Sequence, residues 1–284
     1  MREAVRQKLI AEIPAFGERV YEPNVAGMDE QKPFAVVQFG PDDDEAEWVG
    51  FRRTILIYLL EKIESYKALD ITQELVINAL KNPLVTEDGV VFTLVYSGAL
   101  GEDMHNAEHA ALFRILRFHV YALQPVEVAE TYAADSWVDS LKNWTNELFN
   151  PSEEIPWNVY ENQWPLGYLK PAVLWRLAAY PRIDEEGLGQ FRVTKSFQGH
   201  VLGDTPNQQV LGIGKVVEEF GIQLKIPVVG PDNCLYMTRR ELSVDMGADP
   251  IRTGQISVTF DRLTRKPFIE DPLIGEVLLE GRSI

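Results

Sequence analysis

The chain has 284 residues, 45% of them hydrophobic and 25% charged, with 43 acidic against 27 basic side chains and a net charge of −16. That length suits two domains of ordinary size better than one core, and the composition excludes a disordered chain. The acidic balance excludes a surface built to grip nucleic-acid phosphates, and Cys234, the single cysteine, excludes an intrachain disulfide, a thiolate zinc cluster and a dithiol redox centre.

Charged residues Arg2, Glu3, Arg6, Lys8 and Glu12 interrupt the stretch Met1 to Pro14, which leaves no apolar core for a signal peptide. No later run approaches the roughly 20 uncharged apolar residues of a membrane span. Val5, Leu9, Ile10 and Ile13 recur at helical spacing until Pro14 stops them, predicting a short amphipathic helix. Arg19 to Glu22 reads as a short strand and Pro33 to Phe39 as a buried one, rich in β-branched and aromatic residues. The acidic stretch Pro41 to Glu47 reads as a solvated loop, and Trp48 to Lys62 as the next strand. Leu69, Leu75, Val76, Ala79 and Leu80 share one helical face between Ala68 and Asn82, and Pro83 follows. Val90 to Tyr96 and Ala110 to Leu123 predict two strands joined by a glycine- and histidine-containing loop from Ser97 to Glu108; Gln124 to Thr131 reads as a linker.

The second half repeats this order. A helix is expected from Asp135 to Phe149, and strands near Trp157 to Tyr160, Pro171 to Ala178 and Phe191 to Val201. A glycine-interrupted helix from Asn207 to Phe220 follows, then strands around Cys234 to Arg239 and Gly254 to Leu263. Short matches recur in the same order: Val20-Tyr21-Glu22 as Val159-Tyr160-Glu161, Lys32-Pro33 with Ala35-Val36 as Lys170-Pro171-Ala172-Val173, and Phe51-Arg52 as Phe191-Arg192. Asp103-Met104 recurs as Asp245-Met246, and Phe118 aligns with Phe260. One such dipeptide means nothing, but five in register point to an internal repeat. The expected fold is therefore α+β: two similar domains, each a small antiparallel or mixed β-sheet flanked by short helices. Residues 1–124 form the first, 125–133 a linker, and 134–284 a second, divergent copy.

Sites of chemistry are scarce. His105 and His109, with Asp103 and Glu108 nearby, offer imidazole and carboxylate ligands, but the segment reads HNAEH rather than HExxH, follows two glycines, and has no histidine in its second copy. Gly212-Ile213-Gly214-Lys215 fails as a phosphate loop, because Gln209 stands where a glycine is required and Val216 where Ser or Thr is required; glycines that permit close helix packing account for it better. No GxSxG elbow occurs, and His119 and His200 lie in apolar strands, where a satisfied sheet histidine is the common case. Trp137, Trp144, Trp157, Trp164 and Trp175 fit either a recognition surface or a large-residue core. No catalytic, cofactor-binding or metal site is assigned and no cofactor is expected.

The first half resembles the tail terminator, or tail completion, family of tailed bacteriophages. The resemblance rests on the helix from Val5 to Ile13, GERVYEPN (Gly17 to Asn24), KPFAVVQF (Lys32 to Phe39), the helix from Ala68 to Asn82, and closing strands with LVYSG (Leu94 to Gly98) and FRILRFHV (Phe113 to Val120). It covers residues 1 to 124 directly and residues 130 to 284 only through the repeat. It implies a virion structural protein and no enzyme: a ring that caps the tail tube and joins it to the head connector, assembled in the host cytoplasm and residing in the virion tail. The implied partners are further copies of the chain, the tail tube protein and a connector or neck protein, with no membrane; DNA would pass through without specific binding. Two copies per chain leave open a six-chain ring or a three-chain ring of pseudo-six-fold symmetry. Asp42, Asp43, Asp44, Glu45, Glu47 and Trp48 are the candidate partner-binding or pore-lining loop, and Asp103, Met104, Asp245 and Met246 the candidate inter-subunit loops. Alternatives are another neck, tube-adaptor or baseplate ring, or a metal-dependent hydrolase using Asp103, His105 and His109.

Overall fold

Alternating apolar residues bury one face of a strand, and the chain builds two mixed sheets from them. The computed structural model describes residues 1–45, 48–64, 66–123, 135–150, 156–228 and 235–266. The first sheet uses β1 (Val20–Tyr21), β2 (Phe34–Asp44), β3 (Phe51–Glu61), β6 (Leu94–Asn106) and β7 (Ala111–Leu123), in the order β1-β2-β3-β7-β6. Helices α1 (Arg2–Glu12) and α2 (Tyr66–Ala79) cover one face, and β4 (Leu84–Val85) and β5 (Val91–Phe92) form a small separate ladder. Val5 and Leu9 of α1 and Leu69 and Val76 of α2 press on Val37, Ile55, Ile57 and Phe118, all buried in one core.

The second sheet repeats the plan. Strands β8 (Asn158–Glu161), β9 (Ala172–Glu185), β10 (Gln190–Leu202), β11 (Lys225–Val228), β12 (Leu235–Val244) and β13 (Ile256–Arg265) run in the order β11-β12-β13-β10-β9-β8. Helices α3 (Ser136–Phe149) and α4 (Pro206–Ile222) supply Trp137, Leu141, Ile213 and Phe220 to the core around Trp175, Phe197 and Phe260. Asp135 caps α3 by accepting from the Trp137 N–H, and Thr205 caps α4, whose first residue is proline.

Pairing makes the repeat quantitative. β1 runs parallel to β2, with Val20 opposite Ala35, and β8 runs parallel to β9, with Val159 opposite Val173. Carried across the sheets, the same register sets Ile57 of β3, which faces Leu116 of β7, level with Gly199 of β10, which faces Ile256 of β13; Phe118 is then level with Val258 and Phe51 with Val193, each two residues from the match read in the sequence. On the outer face of each sheet Phe34 pairs with Leu60, Val36 with Tyr58 and Gln38 with Leu56; the counterparts are Ala172 with Leu202, Leu174 with His200 and Arg176 with Gln198. The structural register therefore matches Ala35 to Val173, one residue away from the Ala35-to-Ala172 match read in the sequence. Lys32–Pro33 and Lys170–Pro171 are both cis.

Three expectations change. The acidic stretch is not a loop up to Asp44: β2 continues through Asp42, Asp43 and Asp44, which pair with Arg53, Arg52 and Phe51, because cross-strand arginines neutralise the acids. The segment from Ser97 is not a loop either. β6 runs through Asp103 and Met104 to Asn106, and Gly98 and Gly101, at φ of +90° and +75°, sit beside two register shifts against β7; these are bulges, which glycine admits at positive φ. The second half also has an unforeseen edge strand, β11, and, among the described residues, no counterpart of the β4–β5 ladder. The expected linker and the ends of both expected domains lie outside the described residues.

Candidate functional site

Asp42 accepts two hydrogen bonds from Arg53, at 2.7 and 2.5 Å, and Asp43 one from Arg52 at 2.7 Å. The arginine beside it holds the Asp42 carboxyl below its ordinary range. Glu45 lies 3.2 Å from the Arg52 Nε and is also ion-paired with Arg252 of the second half. Of the predicted acidic loop, Asp42 and Asp43 are thus bound to β3 and Glu45 points into a seam between the halves. Glu47 lies outside the described residues.

Trp48 occupies that seam. Its Nε1–H donates to the Arg252 carbonyl at 2.9 Å, its carbonyl accepts from the Trp164 N–H at 3.0 Å, and the Arg176 guanidinium lies 3.5 Å from its ring centroid. Val49 and Ala122 are buried with Trp164, Tyr168, Ala172, Leu174, Leu202 and Ile251, and Tyr121 packs against this cluster. The tip of the first unit, where β3 begins and β7 ends, is thereby wedged against the outer face of the second sheet. The loop from β8 to β9 closes over it and reaches the first unit again: Thr93 donates through its N–H to the Leu166 carbonyl at 3.2 Å and through Oγ1 to the Tyr168 carbonyl at 2.8 Å. A Cβ on Gly167 would stand 2.5 Å from Val91 Cγ1, so only glycine allows this approach.

Both buried histidines border the seam. His200 Nδ1 lies 2.9 Å from the Pro250 carbonyl, and its Nε2 accepts from Arg176 Nε at 3.0 Å, an arrangement that needs the neutral ring with its proton on Nδ1. Burial first, and Arg176 after it, push this histidine down to about 4. His119 stands 3.3 Å from Thr54 Oγ1 and is also pushed down to about 4, by burial and then by Arg52, Arg117 and Arg252. Burial lowers Arg176 to about 10. Arg176 is spent on the seam through Trp48, His200 on supporting Arg176 and the Pro250 carbonyl, and His119 on its contact with Thr54 inside the first sheet.

The remaining predicted residues are placed elsewhere. Asp103 is locked to Arg114, which donates to both its oxygens and also to Asp70; Met104 is exposed on β6 opposite Phe113. Asp245 and Met246 follow the end of β12; the Asp245 carboxylate accepts from the Gly247 N–H at 2.9 Å, its N–H donates to the Gln255 carbonyl, and Met246 is exposed. Ala99 lies opposite Leu116 and Val244 opposite Ile256, so in the strand register Val244 is level with Ala99 and the two sequence-matched segments do not coincide, although both lie toward the same end of the strands beside β7 and β13. His105 is the penultimate residue of β6, opposite Leu112, and the His109 ring meets the edge of Phe34 at 5.8 Å in the turn beyond. Among the described residues no three His, Cys, Asp or Glu side chains converge as metal ligands, and no helix is long and apolar enough to cross a membrane. Trp137, Trp144, Trp164 and Trp175 are buried, so the tryptophans serve the core.

No protein family and no curated protein matches the chain in sequence. Among solved structures, a chain from the virion of a native gene transfer agent particle is similar at 19% identity and a TM-score of 0.30, over 42% of this chain and 91% of that one. A TM-score of that size carries no argument about fold or function.

The seam itself was missed in the sequence. Its one readable trace was Trp48, a large aromatic next to an acidic run, in a position three residues before Phe51.

Proposed function

We propose that this chain is a structural protein of a tailed virion, a tail-terminator-like ring component that caps the tail tube and faces the head connector. The observation that carries the reading is the repeated unit: the half that resembles the tail terminator family in sequence is followed by a half with the same helix and strand order, fused to it through a buried seam. Such a chain presents paired, similar surfaces at a fixed spacing, which suits a symmetric ring and does not require chemistry. The titratable groups fit that role, since Asp103 is consumed by Arg114 and both buried histidines by structural hydrogen bonds. That speaks against the hydrolase alternative built on Asp103, His105 and His109. A net charge of −16 suits a conduit through which DNA slides without adhering.

The test is tube assembly. Tail tube protein from the same source, polymerised alone and with this protein, is imaged by negative-stain electron microscopy. The expected result is a ring-shaped cap at one tube end that stops elongation. Bare ends on tubes that grow to the same length with and without the protein would sink the reading; binding at the opposite, distal end would favour a baseplate component.

A further inference from the structure

The two units meet a second time away from Trp48, and there they enclose a cavity. Thr93 of the first unit, hydrogen-bonded to the Leu166 and Tyr168 carbonyls of the β8–β9 loop, stands in its wall. The cavity has a volume of about 290 Å³ and draws its lining from the end of α2, from β6 and β7, from the β8–β9 loop and from the turn before α4. Its floor is apolar: Leu80, Leu94 and Phe118 all belong to the buried core of the first unit. Its rim is charged, with Lys81 of the first unit and Lys170 and Asp204 of the second, all three exposed.

The charges on that rim do not balance. Among the described residues neither lysine has an ion pair, in a chain with 43 acidic against 27 basic side chains. Lys81 follows the C-terminal end of α2, where a cation suits the helix dipole, but this does not account for a second lysine within electrostatic reach of it. The cleft walls desolvate the Lys170 ammonium and lower it below its ordinary range; Asp204 opposes that shift and Lys81 adds to it. An anion placed between the lysines would relieve both the desolvation and the repulsion.

We propose that this cleft is a binding site for a small monocarboxylate with a short apolar body, which lies on Leu80, Leu94 and Phe118 while its head group sits between Lys81 and Lys170. Two lysines and one aspartate leave the rim with a net charge of +1, which a single carboxylate neutralises. The volume stands at the lower end of small-molecule sites, about 300 Å³, so the apolar body is short. An apolar floor, a few converging polar groups and a place between two units are the features such sites share. The occupant touches both units, so binding also stabilises their union. The proposal does not rest on the tail-tube reading, and tube capping tests that reading whichever way the titrations below fall.

The full chain is titrated with octanoate by isothermal calorimetry, with octan-1-ol as the uncharged comparison and octylamine as the oppositely charged one, and backbone amide shifts are followed by NMR. Octanoate is expected to bind saturably, octan-1-ol at least tenfold more weakly and octylamine not at all, with amide shifts at Thr93, Leu94, Leu169 and Lys170. Lys81→Gln with Lys170→Gln, two exposed changes whose folding is checked by circular dichroism, should weaken octanoate at least tenfold and leave octan-1-ol unaffected. Octan-1-ol binding as tightly as octanoate, octanoate binding indifferent to the two substitutions, amide shifts confined to residues outside the cleft, or no saturable binding would each overturn the proposal.

Discussion

The guanidinium carbon of Arg176 lies over the indole of Trp48, 3.5 Å from the ring centroid, although 128 positions separate them in the chain. The pair joins two units whose sheets share no strand. Removing either side exposes the apolar seam beneath. Trp48→Ala is expected to lower stability by about 2–4 kcal/mol in urea unfolding, from lost packing and the lost hydrogen bond to Arg252. A double-mutant cycle with Arg176→Met should return a coupling of about 0.5–2 kcal/mol; a coupling of zero would mean the stacked geometry contributes no more than burial.

Acid should loosen the same seam. His119 and His200 are held at about 4 in the folded chain against the ordinary 6.5, so between those values the unfolded chain binds protons that the folded chain refuses. Stability is therefore full above pH 6.5 and declines as the pH falls toward 4. By pH 5 each histidine withdraws about 2 kcal/mol. Thermal melts at pH 7.5 and pH 5 read this, and His200→Gln should flatten the slope by half; an unchanged slope contradicts the assignment.

Two glycines of one helix should respond oppositely. A Cβ on Gly212 would stand 2.4 Å from the Trp157 ring, whereas around Gly214 nothing lies within 4 Å. Gly214→Ala is expected to stabilise by about 0.5–1 kcal/mol through helix propensity. Gly212→Ala should cost about 1–2 kcal/mol, because the indole cannot yield without losing Phe149, stacked on it at 4.4 Å. Denaturation midpoints of the two single variants decide the matter.

Inside the second core, Trp175 Nε1 donates to Thr145 Oγ1 at 2.8 Å with both residues fully buried. Thr145→Val keeps the shape and removes the acceptor. The stranded N–H should cost about 1–3 kcal/mol, seen in urea unfolding, while Thr145→Ser should cost less. Equal losses for the two would assign the effect to packing.

Much of the fold was legible because helices announce themselves through apolar spacing and proline, as at Leu69, Val76 and Pro83, and because the repeat fixed the order of strands. What failed was local punctuation. Asp42 and Asp43 read as loop since acidic runs seldom enter strands, and only the partner strand reveals Arg52 and Arg53 opposite them. Gly98 and Gly101 read as a turn, whereas the chain uses them as bulges within one strand. The interface was beyond reach for a different reason. Glu45 and Arg252 stand 207 residues apart, and nothing in the neighbourhood of either names the other.

The bulged strand β6 has a consequence for how the molecule meets its own kind. It is 13 residues long, forms the border of its sheet and is exposed along most of its course, which are the attributes of a template for indiscriminate strand addition. Its two left-handed glycines break the ladder into short stretches and skew the carbonyls out of line, so a stray strand finds no long run of aligned donors and acceptors. Concentrated protein is thereby steered away from amyloid-like stacking.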